Sequence, residues 1–201
     1  MTPISRVIIA GIAAVFAIAG AVPSYAQSSK IEDALKPKAR TRSIVVPAPN
    51  PADQQVLQKA RTRAISIEAV APASKEEREE IAKVIVDKPK IDIAIFFDYN
   101  SDVIGPKAVG AVNELGVALL SPTLKNSTIL LNGHTDAAGS PDYNLALSHR
   151  RAQSVRKYLI NTFKIPEDRL LVAGFGFERL KLPDQPLAGE NRRVEVVNTS
   201  N

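Results

Sequence analysis

From residue 91 onward, apolar and polar positions alternate in patterns that name their elements. Ile91, Ile93, Ile95 and Phe97 recur at period two, which predicts a strand. Asp98 to Gly105 is a polar loop. Pro106 suits the first position of a helix, and Ala108, Val109, Val112, Leu115, Val117 and Leu119 give that helix an apolar face. Ser121-Pro122 stops it. Thr128–Asn132 is a short, continuously apolar strand, and Gly133–Gly139 a loop. Ser140, Pro141 and Asp142 read as cap, first position and acidic second position of a helix running to Thr162. Arg169–Gly176 and Arg192–Val197 complete the pattern as strands. The order is β-α-β-α-β-β. It predicts an α/β (α+β) fold: a two-layer sandwich with a four-stranded mixed sheet and its helices on one face.

The first 90 residues read differently. Arg6 precedes an uncharged run from Val7 to Val22, followed by Pro23 and Ser24-Tyr25-Ala26. A charged start, a short apolar core and a small-x-small site predict a signal peptide over 1–26, cleaved after Ala26. The run is short for the ~20 residues that span a bilayer. An uncleaved membrane anchor is the other reading. Residues 27–90 hold Pro37, Pro47, Pro49, Pro51, Pro72 and Pro89 and no aromatic residue, which predicts a basic tether. Ser74 and Glu77 form a capping-box pattern, so one helix is expected over 74–86. Lys38-Ala39-Arg40-Thr41-Arg42-Ser43-Ile44 recurs as Lys59-Ala60-Arg61-Thr62-Arg63-Ala64-Ile65. This is either duplicated linker or a pair of docking strips for an anionic surface or an envelope protein. The tether leads into a domain over 91–201.

Charge changes the picture of partners. The chain of 201 residues carries a formal net charge of +5. All of it lies in residues 1–90, with 14 basic and 9 acidic side chains; residues 91–201 balance at 12 and 12. The domain therefore lacks the basic excess of a nucleic-acid binder, and export removes nucleic acid as a partner. With no cysteine there is no disulfide framework, thiol chemistry or lipidated cysteine.

The candidate chemistry sits in residues 132–155, which hold both histidines. A metal site needs three or four converging ligands. Only His134, Asp136 and His149 offer themselves, and Arg150 and Arg151 would repel a cation, so no metal and no cofactor is expected. The plain alternative is a loop-capping His134 and an exposed His149. Ser140 and Ser148 lack a nucleophile-elbow context. Asp98 and Asp136 would both stay ionised beside arginine, which is wrong for a general acid. The chain is not expected to be an enzyme. Recognition of a charged group remains. Asp136 follows the second strand, and Asn144, Ser148 and Arg151 share one side of the next helix. A carboxylate, a guanidinium and a helix start suit a zwitterion. Arg151 lies ~15 Å along the axis from Pro141, so either the helix starts nearer Asn144 or loop 133–140 folds back along it. Arg151 bridging internally to Asp136, an outward Arg150 and a helix-start role for Asp142 are the plainer options. Arg192 shares parity with Val194 and Val196, which places a cation on the buried face, where it needs an anionic partner.

Gly133-His134-Thr135-Asp136 with Gly139, Tyr143-Asn144-x-x-Leu147-Ser148-x-x-Arg151-Ala152, Gly174-Phe175-Gly176 and Asn191-Arg192-Arg193-Val194-Glu195-Val196 follow one another in order. Together they resemble the OmpA-like peptidoglycan-binding domain, shared by outer-membrane porin tails, peptidoglycan-associated lipoproteins and flagellar stator subunits. The resemblance covers about residues 92–198, and Phe96–Asn100 looks like the end of the family's first strand. It implies non-catalytic binding of the diaminopimelate of the peptidoglycan stem peptide. Asp136 would hold the ammonium and Arg151 the carboxylate, with Asn144, Asp98, Thr135 and Arg192 lining the pocket. The chain departs from known members: it lacks the lipoproteins' cysteine, and residues 27–90 are too few for a transmembrane barrel. The expectation is a periplasmic protein held to the wall or outer membrane. An inner-membrane-anchored stator-type subunit and a wall hydrolase stay open as alternatives.

Overall fold

In β2 (Ile129–Gly133), β3 (Leu170–Gly174) and β4 (Val194–Asn198), alternate side chains enter two different cores. Ile129, Leu131, Leu170, Val172, Val194 and Val196 point to one; Leu130, Leu171, Ala173 and Val197 point to the other. A sheet buried on both faces needs helices on both sides. The computed structural model, which describes residues 25–37, 50–65, 71–95, 97–98 and 101–200, provides them.

The four-stranded mixed sheet runs β1-β4-β2-β3. β1 (Lys90–Ile93) pairs antiparallel with β4, β4 antiparallel with β2, and β2 parallel with β3. The first strand is shorter than its alternation predicts. Ile93 pairs with Val194, the first residue of β4, so the ladder ends where its partner does. Ile95 nevertheless stays buried.

The first core lies under α4 (Pro106–Leu119) and α5 (Pro141–Phe163), both on one face as expected. The Ser140 hydroxyl caps α5 by accepting from the Tyr143 amide at 3.3 Å, and Lys164 closes it in the left-handed region. The region read as a tether contributes three packed helices. α1 (Tyr25–Leu35) joins the first core through Ile31 and Leu35, and Asn198 Nδ2 donates to the Leu35 carbonyl at 2.8 Å. α2 (Pro51–Ile65) and α3 (Lys75–Val84) cover the second face with Ala60, Ile81, Ala82 and Ile85, adding a third layer. Both bonds of the Ser74–Glu77 capping box form. Proline density misleads here because the prolines fall outside helix interiors: Pro51 opens α2, and Pro37, Pro72 and Pro89 lie between elements.

The second basic repeat copy lies within α2. Arg61 donates to the Asp168 carbonyl and the Thr128 hydroxyl, and Arg63 to Glu77 at 2.7 Å. These arginines hold the helix to its own sheet and to α3. The first copy and the apolar run of the expected signal peptide lie outside the described residues; the expected cleavage bond, Ala26–Gln27, falls in the first turn of α1.

Candidate functional site

Two glycines decide where α5 can lie. Gly133 and Gly174 are register partners at the ends of β2 and β3. A Cβ on Gly133 would sit 2.0 Å from the Ser148 carbonyl oxygen, and one on Gly174 2.7 Å from the His149 nitrogen. The helix thus rests directly on the strand ends, with Arg151 one turn further on. His149 is buried by this contact, not exposed as its sequence context suggested: the backbone approach leaves no room for solvent.

The loop after β2 is held against the helix flank. The His134 amide donates to the Arg193 carbonyl, Thr135 to Gly176 at 2.8 Å and Ala137 to Pro186 at 2.9 Å. Asn144 Nδ2 donates to the Ala138 carbonyl at 2.7 Å. The Ser148 hydroxyl, buried, accepts from the Gly176 amide at 2.9 Å and donates to the Leu145 carbonyl. Of the two arrangements open from the sequence, the loop folds back; α5 does begin at Pro141. Ser140 and Ser148 are structural, a cap and a bracket.

Asp136 therefore pairs directly with Arg192 and lies within electrostatic reach of Arg151. Its Oδ2 accepts from Arg192 Nη1 at 2.6 Å, and its Oδ1 from the Ala138 amide at 3.3 Å. Arg151 is buried, its Nε donating to the Ser101 carbonyl at 3.1 Å and its guanidinium lying 5.0 Å over the Phe97 ring. Burial lowers its pKa, and the neighbouring Arg192 charge lowers it further; Tyr143, Asp136 and Asp102 oppose both. The internal ion pair is thus Asp136–Arg192, not Asp136–Arg151. A carboxylate bound to one guanidinium and close to a second suits an anion beside a cation-binding oxygen.

The remaining site candidates take defined places. Arg192 is not a buried strand residue. It follows the 3-10 turn Gly189–Asn191, so the parity of β4 does not reach it, and its side chain is 46% exposed. Asn191 holds that turn by accepting from the Leu182 amide and donating to the Gln185 carbonyl. Asn144 and Thr135 are buried beside Asp136. Asp98 is exposed, and its carbonyl accepts from the Ser101 amide, so it shares the turn that grips Arg151. Asp142 lies in the first turn of α5, and Arg150 points to Asp102 at 4.0 Å. Among the described residues, no cluster of three His, Asp or Glu side chains is placed to hold a metal.

Sequence reasoning missed Ser101, whose carbonyl lies 50 residues from Arg151 and carries no pattern. It also missed the network behind the loop, where Arg193 Nε and Lys181 both bind Asp92, at 2.9 and 3.0 Å. His134 stacks on Phe175 at 5.6 Å, and among the described residues neither of its ring nitrogens has a hydrogen-bond partner.

With this geometry in view, residues 96–193 match the model of the OmpA family. That segment is an OmpA-family domain. Curated relatives include the peptidoglycan-associated lipoprotein of Pseudomonas aeruginosa, 35% identical over 105 residues, covering 50% of this chain and 59% of the relative. Outer membrane protein A of Serratia marcescens is 35% identical over 82 residues, covering 41% of this chain and 23% of the relative. The chain thus spans less than two thirds of either relative. Among solved structures, the C-terminal domain of Helicobacter pylori MotB superposes with a TM-score of 0.48 at 24% identity, covering 55% of this chain and 86% of that one. The OmpA-family segment begins after α1–α3, so those helices lie outside the match. Among the described residues, no helix is long and apolar enough to cross a membrane.

Proposed function

We propose that this chain binds peptidoglycan without catalysis, through the diaminopimelate residue of the stem peptide, and so anchors an envelope protein to the cell wall from the periplasmic side. The observation that carries this reading is Asp136 bound to Arg192 and within electrostatic reach of the buried Arg151. Diaminopimelate is a zwitterion at its free end. Its ammonium goes to Asp136, and its carboxylate to Arg151, with Arg192 shared between Asp136 and the ligand. Asp98, Asn144 and Thr135 line the same place. The OmpA-family match and the relative named for peptidoglycan association support the class of ligand.

The arrangement also explains selectivity. A lysine-type stem peptide lacks the extra carboxylate, so the already buried Arg151 would gain no charged partner from it. Truncating one member of a desolvated charge pair typically costs at least ~2 kcal/mol, or roughly 30-fold in affinity. Asp136→Ala and Arg151→Ala should each lower retention on diaminopimelate-type sacculi by about that factor or more in a sedimentation assay, with circular dichroism unchanged. Equal retention of both variants and the parent chain would remove the proposal.

A further inference from the structure

α3 lies outside the OmpA-family segment, yet it grips the turn from which the site loop hangs. Arg78 is 5% exposed. Its Nε donates to Glu178 Oε2 at 2.9 Å and its Nη2 to Glu178 Oε1 at 2.5 Å, a two-pronged ion pair. Its Nη1 donates to the Ala73 carbonyl at 2.6 Å, which fixes the guanidinium to the start of its own helix. The pair bridges 100 residues of sequence.

Glu178 belongs to a tight turn, closed by its amide on the Phe175 carbonyl at 2.9 Å. Two residues of that turn, Phe175 and Gly176, contact the groups that hold the site loop. Gly176 adopts φ +51°, and a Cβ there would meet the Leu145 nitrogen of α5 at 3.1 Å. Its amide donates to Ser148, and its carbonyl receives the Thr135 amide. Phe175 is buried between the α3 side of the sheet, where it packs with Ile81, Ala82 and Ile85, and the His134 ring. Thr135 is followed by Asp136. The contacts thus run unbroken from Arg78 through Glu178, Gly176 and Thr135 to the carboxylate that meets Arg192.

We infer that Arg78 is a positioning residue for the Asp136 site, acting through Glu178 and the Phe175–Glu178 turn, so that the N-terminal helices are part of the binding unit. This rests on the wall-binding reading for its ligand but not for its mechanical link. A carboxylate that must meet an ammonium while sharing Arg192 works within a narrow geometry, and such sites depend on the shell behind them. Losing the fork frees the turn to sample positions in which the Thr135–Gly176 bond is open.

The test uses the full chain and a soluble diaminopimelate-containing muropeptide. Arg78→Met should weaken muropeptide binding by about 5- to 10-fold, within the range over which residues without ligand contact modulate a site. It should speed hydrogen exchange at the Thr135 and Gly176 amides by about the same factor, leaving Leu131 and Leu159 unchanged. The pair Arg78→Glu with Glu178→Arg should restore most of both, which a general loss of stability would not do. If Arg78→Met fails to fold, Glu178→Gln removes the charge from the more exposed partner and takes its place. Asp136→Ala is the reference. If it abolishes binding while the Arg78 and Glu178 variants bind and exchange like the parent, the positioning role is overturned. If Asp136→Ala leaves binding intact, the wall-binding reading fails, and the exchange rates alone decide the link: unchanged rates at Thr135 and Gly176 overturn it, faster rates sustain it.

Discussion

His134 shows how one residue can look like chemistry and serve as structure. It flanks Asp136 and could pass for a ligand or a base. Burial, helped by the charges of Arg193 and Arg179 and opposed by Asp92, holds its pKa at about 3. The imidazole is therefore neutral throughout the physiological range and stacks on Phe175 as an aromatic ring. Its proton linkage has a definite sign. In the unfolded chain the ring titrates near 6.5, so between about 6.5 and 3 the unfolded state binds a proton that the folded state refuses. Stability from this group is full above pH 6.5 and falls as the pH drops. At pH 5 the loss is about 2 kcal/mol. Urea midpoints at pH 7 and pH 5 should show it in the parent chain, and His134→Phe should flatten the difference by about that amount; an equal pH dependence in both would contradict the buried, neutral ring.

At the scale of elements, α1 is where the sequence pattern and the fold part company. Its stretch, Tyr25–Leu35, contains only Ile31 and Leu35 at helical spacing near a charged surface. That is a weak stripe, which read as linker. In the fold both side chains are buried beneath α4 and the β1–β4 edge, Leu35 completely. A short amphipathic helix gains most of its stability from such packing and little from its own propensity. Leu35→Ala should cost about 2–5 kcal/mol, seen as a clear drop in the thermal midpoint. A tether would show none. The capping box of α3 and the Ser140-Pro141 start of α5 were legible in advance because local hydrogen bonds specify them. The true end of β1 was not, since it depends on where β4, far along the chain, begins.

For the molecule as a whole, the consequence is that residues 91–201 do not make a closed unit. The second face of the sheet presents Leu130, Leu171, Ala173, Phe175 and Val197, and α2 and α3 cover it. A chain cut to 91–201 should expose this surface, bind a hydrophobic dye and self-associate in sedimentation velocity, whereas 25–201 should not. Dye-free, well-behaved 91–201 would show that the N-terminal helices are dispensable to the core.

The sequence by itself determined the strand and helix order of residues 91–201, the mixed four-stranded sheet, the OmpA-like motif string and the neutral charge of the domain. Those features are written in period, caps and local spacing, which act over a few residues. Tertiary structure alone decided that Arg192, and not Arg151, pairs with Asp136; that Ser101 and Phe97 hold Arg151; and that α1, α2 and α3 close both faces of the sheet. Each of these joins groups far apart in the chain. A hydrogen bond or an apolar contact across such a distance leaves no period to read, because its partner is chosen only when the sheet and helices have been brought together.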